Sequence, residues 1–360
     1  MGSISGPAGL PPCARCCRRR CLVLLAGGAL GLVAGCARLG DSARRRPRLG
    51  SAPLGSAPLG PARVGVLQFV QAAAPDAVRF GLLEALAAAG YRPGAGLVLE
   101  QRFAGGSMAT AREQVQELLR RPLDLLVAIG TPPLEAALAL APASLPAVFA
   151  YCSNPWGAGA GSSYGQHRPN VTGTVGTNPL AAQLDLAQRL DPGLLRVGLV
   201  MNPSEPNSSF ETELQRRDAE ERDLQLVVEP VAEPSEVAAA AQRLLEVQEV
   251  GALVRVGDYA SSLAFADLAA AGLRHRCPVY SVDPVDIGVR GCLAVVGWDA
   301  HADGRLACAL AVKVLRGADP AALPFEPLSR RLLLLNRRPA AALGLTFPAA
   351  LLRRADRVVG

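Results

Sequence analysis

The 360-residue sequence predicts an α/β chain built as two doubly wound parallel-sheet lobes. Three observations lead there. Short apolar, β-rich runs alternate with amphipathic helical stretches from residue 63 to residue 281. The alternation falls into two series, the second resuming after a strand at residues 171–175. Polar or turn-forming residues follow the strands, as they do at the ligand-facing edge of open sheets. A composition of 50% hydrophobic and 19% charged residues is that of a globular chain with one or two domains, and it excludes extended disorder. A polytopic membrane protein is excluded as well, because the one long apolar stretch, residues 22–34, falls short of the ~20 residues a spanning helix needs.

Taken in order, residues 63–69 form a short β-rich run. Over residues 75–89, Val78, Leu82, Leu83 and Leu86 fall at helical spacing, and Gly90 closes the helix as a C-cap. Residues 97–102 alternate as a strand, and the helix over 108–121 is stopped by Pro122, which offers no N–H to continue it. A buried strand at 123–129, a helix at 133–140 and a strand at 147–151 complete the first series. After 171–175 come helix 180–190, strand 196–201, helix 208–222, strand 225–230 and helix 234–247. Strand 252–256, helix 261–271 and strand 278–281 follow. Two such series imply parallel sheets with helices on both faces.

Ligands of such sheets sit beyond the carboxyl ends of the strands. The residues there are Gln68-Phe69, Gly130-Thr131-Pro132, Cys152-Ser153-Asn154-Pro155, Asn202-Pro203, Gly257-Asp258-Tyr259 and Val282-Asp283. Thr131 and Ser153 end strands where a helix can begin, so a ligand oxyanion would meet hydroxyls and unpaired backbone N–H groups. Asp258 is suited to an ammonium. Each of the three has a second reading as the N-cap of its own helix.

Motifs of catalytic chemistry are few in this sequence. There is no phosphate-binding loop ending in Lys-Ser/Thr, the only lysine being Lys313 in a helical pattern. Gly157, Gly159 and Gly161 miss the dinucleotide spacing because Ser162 takes the sixth position. His167, His275 and His301 form no zinc-type pair, and no Gly-x-Ser-x-Gly elbow occurs. No catalytic residue, metal site or cofactor is predicted. An enzyme that assembles Ser, His and Asp from distant positions is the remaining enzymatic alternative.

The net charge of +6 belongs to the first 49 residues, which hold nine arginines against Asp41. The body is left with 28 basic and 30 acidic residues and few aromatics, without the basic stripe or stacking platform of a nucleic-acid binder. The leader has the parts of an export signal: arginines between Arg15 and Arg20, the apolar stretch 22–34, and Val33-Ala34-Gly35-Cys36, which resembles a bacterial lipobox. A plain signal with an incidental cysteine is the alternative. Residues 1–35 are therefore expected to be a signal peptide and Cys36 the lipidated residue. Arg18-Arg19-Arg20 also resembles a twin-arginine signal without the usual phenylalanine, so the general export route is preferred. Acyl chains contribute ~0.8 kcal/mol per buried CH₂, so two or three on one cysteine anchor a protein to a membrane. Residues 36–61, with Leu-Gly-Ser-Ala-Pro repeated from Leu49, read as a tether reaching at most ~80 Å at ~3.1 Å per residue. Cys13, Cys16, Cys17 and Cys21 leave with the leader. Cys152, Cys277, Cys292 and Cys308 remain, either with a Cys277–Cys292 bridge or all free.

Four segments carry a resemblance to a known family: Ala128-Ile129-Gly130-Thr131-Pro132, Asn170-Val171-Thr172-Gly173, the run from Val197 to Ser208 that contains Asn202-Pro203-Ser204-Glu205-Pro206-Asn207, and Ser235-Glu236-Val237. The tail from Asn336 through Gly344-Leu345-Thr346-Phe347-Pro348 belongs with them. In this order, behind a lipobox, they resemble the substrate-binding lipoproteins of ABC importers, in the branch associated with tryptophan and tyrosine. The likeness runs from about residue 64 to residue 359.

The resemblance implies a periplasmic-binding-protein type I-like fold with a small-molecule ligand in the cleft between lobes. It implies lobe 1 over residues 62–174 plus 283–360 and lobe 2 over 175–282, with crossings near 173–178 and 281–285. It places Gln68 where the first strand meets the cleft and Thr131 at a carboxylate-binding position. Asn207 and Ser208 fill the Asn-Ser position, Asp258 the acidic position for an amino group, and Asp283 the acidic position near the hinge. Ser153-Asn154-Pro155 departs from the Thr-Asp-Pro of the family, which removes one attraction for an ammonium. Trp156 beyond it either covers a ligand ring or packs locally. Implied partners are an ABC permease with its ATPase and, through acylated Cys36, the extracytoplasmic membrane surface. The chain is expected to act as a monomer without nucleic acid. A ligand-sensing lipoprotein of the same fold is the alternative function.

Overall fold

Parallel strands need long crossovers, and this chain supplies them as helices. The computed structural model describes residues 60–360, so the expected signal peptide, Cys36 and nearly all of the tether lie outside the described residues. The first strand, β1 (Ala62–Gln68), is followed by α1 (Ala73–Ala88), the two-residue β2 (Arg92–Pro93), β3 (Gly96–Phe103) and α2 (Met108–Leu119). Ser107 starts α2 by accepting the Thr110 N–H at 3.3 Å. Then come β4 (Leu125–Ile129), α3 (Thr131–Leu140), β5 (Ala147–Cys152) and β6 (Val171–Val175). The chain continues through α4 (Leu180–Leu190), β7 (Arg196–Met201), α5 (Pro206–Glu220), β8 (Gln225–Pro230) and α6 (Val237–Glu246). Next are β9 (Ala252–Val254), α7 (Tyr259–Leu263), α8 (Phe265–Arg274), β10 (Val279–Ser281) and β11 (Cys292–Trp298). Last come α9 (Ala300–Leu315), β12 (Glu326–Pro327), β13 (Arg331–Asn336), α10 (Arg337–Leu343), α11 (Ala349–Arg354) and β14 (Arg357–Val359).

These strands make two seven-stranded sheets, in the orders β12-β6-β5-β4-β1-β3-β2 and β14-β13-β11-β10-β9-β7-β8. All recorded strand pairings are parallel except β11 with β13. In each sheet an early strand, β1 or β7, has its next partners on either side, so the order reverses there and a crevice opens beyond the strand ends. Central strands such as β4 are buried along their whole length, because helices cover both faces.

The sheet pairing corrects the expected lobe boundaries. Residues 283–360 are expected in lobe 1, yet β11, β13 and β14 belong to the second sheet, and the stretch from α9 to β12 returns to the first lobe. The first crossing lies between β6 and α4, within the expected region, but the second falls at 298–300 rather than 281–285, and a third follows β12. The reason is local: after β10 a 3₁₀ turn, Pro284–Gly288, folds back against β11, which then pairs in parallel with β10 instead of leaving the lobe. The place of α9 is fixed by two glycines. A Cβ on Gly304 would stand 1.9 Å from the Val78 carbonyl oxygen, and one on Gly81 would stand 2.1 Å from that of His301. Only backbone-to-backbone contact lets α1 and α9 approach so closely.

Cys152, Cys277, Cys292 and Cys308 are free and buried, so the Cys277–Cys292 bridge is not formed. Among the described residues no helix is long and apolar enough to cross a membrane.

Candidate ligand-binding cleft

A cavity of ≈ 340 Å³ lies between the lobes, lined by the residues that follow strands of both sheets. From lobe 1 come Phe69 after β1, Thr131 after β4, and Tyr151 and Ser153 at the end of β5. From lobe 2 come Glu205, Asn207 and Glu211 around the start of α5, Asp258 and Tyr259 after β9, and Asp283 after β10. The lobes are apposed: the Tyr259 ring meets the edge of Phe69 with centroids 6.4 Å apart, and it lies where a Cβ on Gly106 would be 2.7 Å away.

Of the eight residues expected in the site, five border the cavity: Thr131, Ser153, Asn207, Asp258 and Asp283. Thr131 is the first residue of α3, whose N-cap is Gly130 at φ 109, so its hydroxyl is not used as a cap. Its hydroxyl contacts the Cys152 thiol at 3.3 Å, and burial pushes that thiol up to about 12, leaving it inert. No helix begins at Ser153; its carbonyl accepts from the Thr177 hydroxyl at 2.7 Å, tying β5 to the first crossing. Asp258 does cap α7, accepting the Ser261 N–H at 2.7 Å, and its other oxygen accepts from Asn202 N–H and the Ser208 hydroxyl. Both readings of Asp258 therefore meet in one side chain.

Three expected residues stand behind the lining. Gln68 is fully buried and braces the turn after β1, donating to the Val70 carbonyl at 2.7 Å and Asp76 at 2.8 Å while accepting from Arg79. Ser208 supports Asp258. Asn154 turns away, its Oδ1 accepting the Gly157 N–H at 2.8 Å, so its amide removes no charge from the cavity wall. Trp156 packs on Phe325 and Tyr164 and covers no ligand space.

The lobe 2 wall is rich in carboxylates. Glu211 accepts from Asn178 N–H, Asn178 Nδ2 and, at 2.8 Å, Gly257 N–H; burial pushes its carboxyl up against these hydrogen bonds. Glu205 is raised to about 8, by burial first and then by the nearby Asp258. Asp283 is raised to about 6 by burial, opposed by Arg255. Arg255, 1% exposed beneath this wall, pairs with Asp286 and is held by Ser261, Ser262 and Ser281. Burial alone would lower its pKa; Asp286 and Asp283 outweigh it and keep the charge. Asn207 donates to the Gly257 carbonyl at 2.6 Å, which fixes its amide and leaves Oδ1 buried without a partner.

Sequence reasoning placed Tyr259 at a strand end without assigning it to the site, and it missed Tyr151, Glu205, Glu211 and Asp303 of this lining. Glu211 carried a usable signal, since it stands four residues after Asn207 on one helix face. Glu205 adjoins the Asn202-Pro203 strand end, and Tyr259 adjoins Asp258. Tyr151 and Asp303 carried none.

The arrangement can enclose one small molecule with an oxyanion end at the start of α3, a cationic end at the lobe 2 carboxylates and an apolar part at the aromatic rings. Comparisons with known proteins agree with it. The family described as ABC transporter substrate binding protein matches residues 63–359. A "Tyrosine-binding protein" of Clostridioides difficile (strain R20291) is 25% identical over 280 residues, covering 78% of this chain and 80% of the relative. A Streptococcus pneumonia "ABC domain in complex with L-Trp" superposes with a TM-score of 0.78 at 28% identity, over 83% of this chain and 100% of that one. A conserved domain protein from Vibrio cholerae O1 biovar El Tor gives a TM-score of 0.77 at 28% identity, over 82% and 99% of the two chains. The chain belongs to the ABC transporter substrate-binding proteins, and its two lobes form the solute-binding component of an importer.

Proposed function

We propose that this protein captures a free aromatic amino acid outside the cytoplasm, held near the membrane by acylated Cys36, and delivers it as a single copy to an ABC permease. Lobe closure around the solute supplies the differential contacts that favour the closed state, and the permease reads that shape. The α-carboxylate would meet the Thr131 hydroxyl and the first N–H of α3, with Ser153 beside them. The α-ammonium would meet Asp258 and its neighbours Glu205 and Glu211, and the side chain would lie against Phe69 and Tyr259. The relatives that name tyrosine and L-Trp support the amino-acid class. The observation that carries the reading is the cavity itself, with hydroxyls and a helix start on one lobe, and carboxylates and the unpartnered Asn207 Oδ1 on the other. An acceptor left buried without a donor costs about 1–3 kcal/mol, and a ligand N–H removes that cost.

The test is calorimetry and thermal unfolding with L-tryptophan, L-tyrosine and L-phenylalanine. A true ligand at 100 times its Kd adds about 2.7 kcal/mol to stability. Thr131→Ala and Asp258→Ala should each weaken it. Unchanged affinity in both variants removes the assigned poles of the site, and no binding by any of the three removes the ligand class.

A further inference from the structure

Tyr151 sits in a backbone conformation that its side chain disfavours. Its φ is 53°, in the left-handed region, where a bulky residue is strained by about 1–3 kcal/mol. The strain coincides with the end of β5, whose register against β6 shifts between Phe149 and Cys152. Along β5 every residue is buried except Tyr151, which opens onto the interlobe cavity.

What holds the strained residue is Asp303. The Tyr151 N–H donates to Asp303 Oδ2 at 2.9 Å, and the Thr174 hydroxyl donates to Asp303 Oδ1 at 2.5 Å. Asp303 is 1% exposed on the first turn of α9, and both partners are neutral donors. Burial pushes its carboxyl up to about 6. A buried carboxylate on a helix that needs none for its packing is a standing cost, and its contacts give the reason. It joins β6, just before the first crossing, to α9, just after the second, and it aims Tyr151 between them.

The Tyr151 phenol feels Asp283, Arg255 and Glu211 of the opposite lobe. Among the described residues its hydroxyl has no hydrogen-bond partner, and burial first, then Asp283, keeps it protonated. It is a neutral O–H presented to the gap beside the carboxylates assigned to the α-ammonium.

We propose that Tyr151 contacts the bound solute at its amino-acid end, and that Asp303 is the positioning residue that holds Tyr151 there. The proposal rests on the amino-acid reading above. Because the phenol faces the part common to all amino acids, Tyr151→Phe should weaken L-tryptophan, L-tyrosine and L-phenylalanine by a similar factor.

The test is calorimetry on the full chain with L-tryptophan, using Y151A, D303L, D303N and Y151A/D303L. Asparagine can still accept the Tyr151 N–H, whereas leucine fills the space without accepting. Y151A and D303L should each raise Kd at least about tenfold. D303N should stay within about threefold of the wild type, and the double variant should add less than about threefold to Y151A, because both changes remove one device. Wild-type affinity in Y151A overturns the contact. A double variant whose losses multiply, or D303N as weak as D303L, overturns the positioning role. If D303L does not fold, D303A takes its place.

If the wild type binds none of the three amino acids, the ligand reading and the Tyr151 contact fall together. The positioning role is then decided by the crystal structure of D303L: Tyr151 released to a negative φ supports it, and Tyr151 unmoved overturns it.

Discussion

Gly106→Ala separates lobe closure from the folding of the lobes. Gly106 is in lobe 1 at φ 81, and Tyr259 is in lobe 2. In the closed form an added Cβ would lie 2.7 Å from Cε1 and 2.8 Å from Cζ of the Tyr259 ring. Carbon contacts are comfortable near 3.5–4.0 Å, so roughly 1 Å must be found. Either the lobes part at this point, or the ring leaves the edge of Phe69, a contact of about 0.5–1.5 kcal/mol. Overpacking of this kind costs about 1–3 kcal/mol. That cost is absent when the lobes are open, so it weakens binding: Kd for L-tryptophan should rise roughly 5- to 150-fold. The backbone strain of alanine at positive φ, about 1–2 kcal/mol, is the same in open and closed forms and shows only in unfolding. Titration calorimetry gives the first quantity and urea unfolding without ligand the second. Tyr259→Ala in the Gly106→Ala background should recover part of the lost affinity relative to Tyr259→Ala alone. An unchanged Kd in Gly106→Ala, with normal unfolding, refutes the contact as part of closure.

Two further outcomes follow from the structure. Glu205, Asp283 and Asp303 all have carboxyls raised on folding, to about 8, 6 and 6. Between the unfolded and folded pKa values the native state holds protons that the unfolded chain has released, so stability falls as pH rises through this window. Unliganded protein should therefore be about 2 kcal/mol more stable at pH 6 than at pH 8, chiefly through Glu205, because each tenfold change in proton affinity is worth about 1.36 kcal/mol. Glu205→Gln should flatten that slope in denaturant titrations; a slope unchanged by it removes Glu205 as the cause. Gly304→Ala should be the more damaging change to the fold, because its Cβ meets backbone at 1.9 Å. At about 3 kcal/mol or more, Tm should drop by roughly 6–12 °C, and a drop of under 2 °C would show that α1 and α9 can separate without loss.

The strand-helix alternation of residues 62–281 was legible because each element obeys a local period and ends at a local signal. Pro122 and Gly90 are such signals. What followed was not, because the pairing of β11 with β13 and the return of α9 to α1 are decisions between distant segments. The same divide runs through the site. Thr131, Asp258 and Asp283 stand at strand ends and could be read there; Asn154 also stood at one, but an Asx-type turn onto Gly157 takes its side chain. Tyr151 and Asp303 are 152 positions apart, and nothing in either neighbourhood announces the other.

Neither sheet is made from one unbroken stretch of chain. The first is completed by β12 and the second by β13 and β14, and the excursion of α9 and β12 to the first lobe interrupts the second between β11 and β13. A polypeptide emerging amino end first thus has no self-sufficient half to condense until some 325 residues are out, and the two halves then mature almost together. Such interleaving favours an origami that begins after delivery rather than during it.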